Sequence, residues 1–349
     1  MTQTPREIVR RALKFEYPER MPRQTWALPW AYNNYPEVME WLGKNYPDDI
    51  THAPGDYRPS PRVVGDPCEV GTYIDEWGCT FTNVQRGIIG EVKQPLIKEI
   101  EDWEQLEPPY ETLPTDFAAA RATANAFCAG TDRFVHASCC PRPWERYQFI
   151  RGTANAMMDL AAEPELAMKL LQRIHDFHMR ELEFWVTTDV DAIAFMDDWG
   201  SQRQLLIAPP MWRKFFKEFY REYSDIAHRH GKFIFMHSDG CISAIYPDLI
   251  EIGIDAVNSQ LFAMDMAELE RTAKGRITFW GEIDRQHVLP STDPAEVRAA
   301  VRRVAKHLYD PRGGIFAQFE FGPASQPENP RIIYEEWDRV QQEAASAAH

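Results

Sequence analysis

The sequence predicts an α/β protein, a distorted (β/α)8 barrel of the TIM type with an N-terminal extension. Three observations carry that expectation. From residue 116 onward, short apolar runs alternate with amphipathic helical stretches. Six successive apolar runs end in ionisable or amide side chains, which is where a parallel α/β enzyme places its chemistry. No run is followed by a mononucleotide Gly-rich fingerprint or a G-x-x-x-x-G-K-[ST] loop, which turns the reading away from a doubly wound nucleotide-binding sheet. Residues 1–349 are expected to form one barrel domain. Within it, 1–115 supply the extension and first barrel elements, and 116–349 the main βα repeats.

Taken in order, PREIVRRALKF (5–15) reads as an amphipathic helix, with Ile8, Val9 and Leu13 on one side. RQTWALPW (23–30) offers a first strand at 25–28. Residues 31–70 are rich in Pro, Gly, Asp and Tyr, and read as short helices and long loops. GTYIDEWGCTF and NVQRGIIGEVKQP (71–95) suggest a hairpin or small sheet. There Asp75, Glu76 and Trp77 form either a plain strand–turn or a wall of the site's mouth. DFAAARATANAFCAG is a helix ended by Gly130. Further strands are expected at 133–137, 191–200, 233–236, 254–257, 276–280 and 314–318. The helices between them fall at 144–159, 164–186, 209–231, 243–251, 265–273 and 294–308, and Asn329–Ala347 closes the chain. This makes seven strands, with an eighth to be sought in the poorly patterned first third.

Charge and composition exclude several classes. Acidic residues number 53 against 38 basic, a net charge of −15, so broad nucleic-acid or anionic-membrane binding is not expected. No apolar run is long enough to span a membrane. The first residues, MTQTPREIVRRALKFEYPERMP, lack the apolar segment of a secretory signal. The six cysteines form no C-x-x-C pair, and adjacent Cys139 and Cys140 make a poor disulfide framework. Free thiols and a cytoplasmic location follow as expectations.

The strand exits read, in order, His136; Asp197 and Asp198; His237 and Asp239; Asn258 and Gln260; Glu282 and Asp284; Gln318 and Glu320. His237 and Asp239, two residues apart, can converge on one point. With Glu282 or Glu320 they would make a three-ligand N/O site for zinc or another divalent metal. The competing readings are a His–Asp pair that orients a general base and a pair that only satisfies buried groups. Asp197 and Asp198, adjacent on a strand, should point to opposite sides, one to the cavity and the other to a helix N-terminus or an arginine. Arg151 and Arg213 are candidate anion anchors. Trp199 and Trp280 could stack on a flat substrate, or simply pack. Gln318 and Glu320 can point the same way, and Asn329 reads as a cap or brace.

The chain resembles the uroporphyrinogen decarboxylase superfamily over nearly its whole length, on the side of the corrinoid-dependent methyltransferases. The resemblance rests on PREIVRRALKFEYPERMP, DEWGCTF (75–81), FMDDWGSQRQLLIAPPMWRKFF (195–216), HRHGKFIFMHSDGCISAIYPDLIEIGIDAVNSQ (228–260), FWGEIDRQHVLP (279–290), and GGIFAQFEFG with PENP. It implies a distorted (β/α)8 barrel with a deep polar cavity at its C-terminal face. In the methyltransferase branch it also implies zinc held by a histidine, a cysteine two residues later and a second cysteine near the last strand. His237 matches the histidine, Asp239 stands where the first cysteine would, and Gln318 and Glu320 occupy the last-strand region without a cysteine. The implied site is therefore a harder one, of His237, Asp239 and Glu282 or Glu320, suited to activation of an oxygen- or nitrogen-bound methyl group, or of a carboxylate.

Asp197, Asp198, His237 and Asp239 are the catalytic candidates, and Trp199, Asn258, Trp280 and Gln318 the substrate contacts. The implied reaction moves a methyl group from a small O- or N-methylated donor to a corrinoid carried by a partner protein, and a homodimer is compatible with it. One alternative is a cofactor-independent decarboxylase of the uroporphyrinogen type. Its arginine-rich RQAGRY-type segment is here RQTWALPW, with Arg23 and no second arginine. The other alternative is a non-catalytic small-molecule-binding barrel.

Overall fold

The computed structural model describes residues 2–55 and 57–347. Eleven strands are present among the described residues: β1 (Arg23–Ala27), β2 (Ile50–His52), β3 (Gly71–Ile74), β4 (Thr80–Asn83), β5 (Glu91–Val92), β6 (Phe134–His136), β7 (Ala192–Met196), β8 (Phe233–Ser238), β9 (Ala256–Ser259), β10 (Thr278–Phe279) and β11 (Ala317–Phe321). β10-β9-β8-β7-β6-β2 form a six-stranded parallel sheet, β1 and β11 a parallel pair, and β3-β4-β5 a separate antiparallel sheet. Parallel bridges Phe279–Ile315 and Ile283–Phe319 carry β10 onto the β11 side.

The eight parallel strands follow a TIM-barrel-like circuit, distorted between β1 and β2. There the ladder is replaced by one backbone bond, Asp49 N–H to the Arg23 carbonyl at 3.0 Å. Two carboxylates stand in for ladder acceptors: Asp48 Oδ1 takes the Thr25 N–H at 2.7 Å and Asp49 Oδ2 the Arg23 N–H at 2.9 Å. Strand β2 is the eighth strand sought in the first third.

Helices cover the outside of the parallel strands. The helix Pro164–Trp185 shows the burial stripe that a 3.6-residue period requires, with Leu170, Leu171, Ile174, Phe177 and Leu182 inside. The opening helix, Pro5–Lys14, is held by a complete capping box of Thr4 and Glu7. No helix of the described residues is long and apolar enough to cross a membrane.

The last strand begins three residues later than its apolar pattern suggests, at Ala317 rather than 314. Gly313 and Gly314 adopt φ of +131° and +78° against the first helix, where the Ala12 carbonyl accepts the Gly314 N–H at 2.8 Å. A Cβ at 313 would lie 2.5 Å from that same oxygen. The glycines therefore form a turn packed on the extension, and Gln318 and Glu320 move to the body and end of the strand.

Candidate active site

β7 and β8 bring three side chains together at their C-terminal ends. The Cα partners in the ladder include Met196 with His237, so the residues that follow β7 lie beside the end of β8. Asp198, His237 and Asp239 each offer one ligand atom, and these atoms all lie within 4.8 Å of one another. His237 Nε2 is 3.6 Å from Asp198 Oδ1 and 3.6 Å from Asp239 Oδ1. The Asp239 N–H donates to Asp198 Oδ1 at 2.9 Å, which ties the two acids together.

The histidine's tautomer follows from its neighbours. Asn258, at the end of β9, donates its side-chain N–H to the Trp280 carbonyl, so its Oδ1 must face the imidazole. His237 Nδ1 lies 2.7 Å from that Oδ1 and therefore carries the proton. Nε2 is left to face the two carboxylates. A separation of 3.6 Å is too long for a hydrogen bond. It is close to the roughly 3–3.6 Å between two ligands that each sit about 2.0–2.2 Å from one ion. Asp239 Oδ1 is buried without a hydrogen-bond partner. The pinned tautomer, the orphaned oxygen and the all-N/O donor set fit a divalent cation. Burial raises the Asp198 carboxyl above its ordinary range, and His237 pulls it down.

Glu282 and Glu320 stand on the far side of an arginine that the strand-exit pattern did not single out. Arg285 holds the outer oxygen of Asp239, donates to Glu320 Oε1 at 2.9 Å, and lies 3.9 Å from Glu282 Oε1. The two glutamates therefore surround Arg285 and are not part of the three-residue cluster. Glu282 Oε2 is buried without a partner, and burial drives this carboxyl well above its ordinary range, with Arg285 opposing. The signal for Arg285 was its place three residues after Glu282, one turn into the same loop.

Asp197 points the other way. It is fully buried and accepts the N–H groups of Trp144 (3.0 Å) and Glu145 (2.8 Å) and the Tyr220 hydroxyl (2.6 Å). It thereby caps the helix Pro143–Arg151. Trp199 packs beneath it, stacked on Trp144 with centroids 5.0 Å apart and donating to the Tyr220 hydroxyl at 2.8 Å. Trp280 is also buried, giving its N–H to Gln24 and its edge to Trp26, whose ring is 5.2 Å from His237. Trp26, near the end of β1, is thus the indole that meets the imidazole. The buried Gln318 amide has neither its N nor its O hydrogen-bonded, and it fills the space a side chain at Gly281 would need. Arg151 and Arg213 are committed to Asp159 and Asp248. His136 is buried between Phe134 and Phe235, with both ring nitrogens unpartnered.

Beside the cluster, a cavity of about 820 Å3 lies between the exits of β6 and β7 and the β3-β4-β5 sheet. Asp75 takes the N–H groups of Trp77 (3.0 Å) and Cys79 (2.8 Å), forming the turn between β3 and β4. Asp75, Glu76 and Trp77 also form part of the cavity wall, so both sequence readings of this segment describe it.

An α/β barrel-like scaffold with a histidine and carboxylates at the C-terminal strand ends defines a class of enzyme-like sites. Within that class, the family model for uroporphyrinogen decarboxylase (URO-D) matches residues 68–339. The chain belongs to the uroporphyrinogen decarboxylase family. A methyltransferase from Methanosarcina mazei has a similar structure, with 13% identity, a TM-score of 0.71, and coverage of 97% of this chain and 99% of that one. A B12-independent methionine synthase from Shewanella sp. W3-18-1 aligns at 14% identity with a TM-score of 0.37, covering 74% of this chain and 71% of its own. A search of curated proteins finds no match.

Proposed function

We propose that this protein is a metal-assisted methyltransferase of the uroporphyrinogen decarboxylase family, a single barrel domain over residues 1–349. It takes a methyl group from a small O- or N-methylated donor and passes it to a corrinoid held by a partner protein. The observation that carries this reading is the pinned His237 tautomer, whose Nε2 faces Asp198 and the unpartnered Oδ1 of Asp239. Those three residues would hold the ion. When bound, the ion supplies Lewis acidity toward the oxygen or nitrogen that loses the methyl group. Asn258 fixes the imidazole, Arg285 fixes Asp239, and Glu282 and Glu320 balance the charge of Arg285.

A second reading is decarboxylation, and the family match taken by itself favours it over methyl transfer. In that reaction a C–C bond to a carboxylate breaks, and Asp198 or His237 returns a proton to the carbon. Charge argues the other way. Three carboxylates, Asp239, Glu282 and Glu320, face one arginine, and Asp198 adds a fourth acid beside His237, which is poor company for a substrate bearing many carboxylates.

The deciding experiment is metal analysis of the purified protein and of H237A and D239A, run beside two assays. One follows methylation of reduced cobalamin by a panel of methylated alcohols, ethers and amines, with and without added corrinoid protein. The other follows CO2 release from uroporphyrinogen. About one ion per chain, lost in both variants, together with methylated cobalamin, is the expected result. CO2 release from metal-free protein without methylation establishes the second reading.

A further inference from the structure

The 820 Å3 cavity carries its own chemistry. Its inner end includes Met196, the cross-strand partner of His237, so it reaches to within one strand spacing of the cluster. Its walls are aromatic. Trp77 meets Phe177 edge-on at 5.1 Å, and Phe81 meets Phe149 edge-on at 5.2 Å.

Most charged groups in those walls are already matched. Arg146 is held by Asp75 and Glu76 and lies over the Trp77 ring, and Glu181 bonds His178 at 2.9 Å. Arg58, more exposed, bonds the Leu113 carbonyl at 3.1 Å. Arg142 differs. Its guanidinium donates to no oxygen among the described residues: the Cys140 thiol lies beside it, and its nearest carboxylate oxygen, Glu145 Oε2, is 3.9 Å away. That oxygen is itself buried without a partner. Asp197 anchors the Glu145 backbone, so the turn that presents this loose pair is rigid.

We propose that this cavity binds a ring-sized, mostly apolar molecule carrying a single carboxylate, its ring against the aromatic walls and its carboxylate on Arg142. A guanidinium with no carboxylate at hydrogen-bond distance, set at the deep end of mostly apolar walls, matches an anionic group, and its planar fork suits a carboxylate. Glu145 is the internal competitor for Arg142. At 3.9 Å the pair has no direct hydrogen bond to break, so an incoming anion can take the guanidinium from Glu145. The inference rests on the placement of the active site at this end of the barrel, not on which of the two reactions occurs there.

The test is isothermal titration of the full-length protein with para-methoxybenzoate, using methoxybenzene and tetramethylammonium as neutral and cationic controls. Para-methoxybenzoate is expected to bind more tightly than either control. Arg142→Gln is expected to weaken it about ten-fold or more, and Arg142→Lys by less. Glu145→Gln is expected to tighten it, because the competing carboxylate is gone. Circular dichroism of each variant verifies folding, and the lysine variant serves if the glutamine variant does not fold. Absence of para-methoxybenzoate binding, indifference to Arg142, preference for tetramethylammonium, or weakening in Glu145→Gln would each overturn the proposal. Binding with this pattern but no methyl transfer removes the methyltransferase reading alone. Methyl transfer from other donors without para-methoxybenzoate binding removes this inference alone.

Discussion

Asp197 and Asp198 are neighbours in the chain and opposites in environment. Asp197 sits in a closed network in which two backbone N–H groups and a tyrosine hydroxyl meet its oxygens, with stacked indoles beneath. Asp198 lies in an open one, beside an imidazole nitrogen too distant to bond and an acid whose inner oxygen has no partner. Strand alternation sends the two carboxylates to opposite sides. Whether their hydrogen bonds are complete then separates structural from functional use. A satisfied buried acid holds the fold together, whereas an unsatisfied pair is arranged for something that arrives.

The largest expected effect breaks the closed side. Asp197→Ala strands two helix N–H groups and a buried hydroxyl, and should cost about 3–5 kcal/mol in urea unfolding. Asp198→Asn should change stability by no more than about 1 kcal/mol while abolishing stoichiometric ion binding. Equal stability losses for the two would erase the distinction. The next effect probes what holds the open side in order. Asn258→Ala should weaken zinc binding about 10–100-fold by freeing the imidazole, whereas Asn258→Asp, which keeps an acceptor at Nδ1, should not. Competition titration with a chelator measures both, and equal affinities in the two variants would show that the tautomer is set elsewhere.

The contrast between the two aspartates also shows how far sequence reading reaches here. Strands β7, β8 and β9 were legible because each is an apolar run ending in polar residues, and that pattern brought His237, Asp239 and Asp198 forward. β2 was not, because three residues between Asp49 and Ala53 give no period to read, and its alignment depends on the Asp48 and Asp49 side chains. Trp199 and Trp280, readable as stacking platforms from their position, are instead buried, and Trp26 from the opposite side of the circuit meets the imidazole. Arg285 belongs to a loop whose path periodicity does not describe, and Glu145 to a helix start placed by Asp197. Both needed three-dimensional distances to be seen.

The smallest effect tests Glu145, the carboxyl that joins the two sides. Its backbone is held by the closed network, while its side chain faces the cavity, Arg142, Asp198 and His237. Its folded value of about 7 stands above an unfolded value of about 4.3. Between those values the folded protein keeps a proton that the unfolded chain releases, so stability must fall as pH rises through that window and level off above it. Asp198 and Glu282, also raised by burial, add to the same slope. Glu145→Gln, measured on chelator-treated protein, should remove part of the decline, on the order of 1–3 kcal/mol between pH 5 and 8. An unchanged slope would mean that Arg142 keeps Glu145 ionised throughout, and the pair would then belong with the closed side of the molecule rather than the open one.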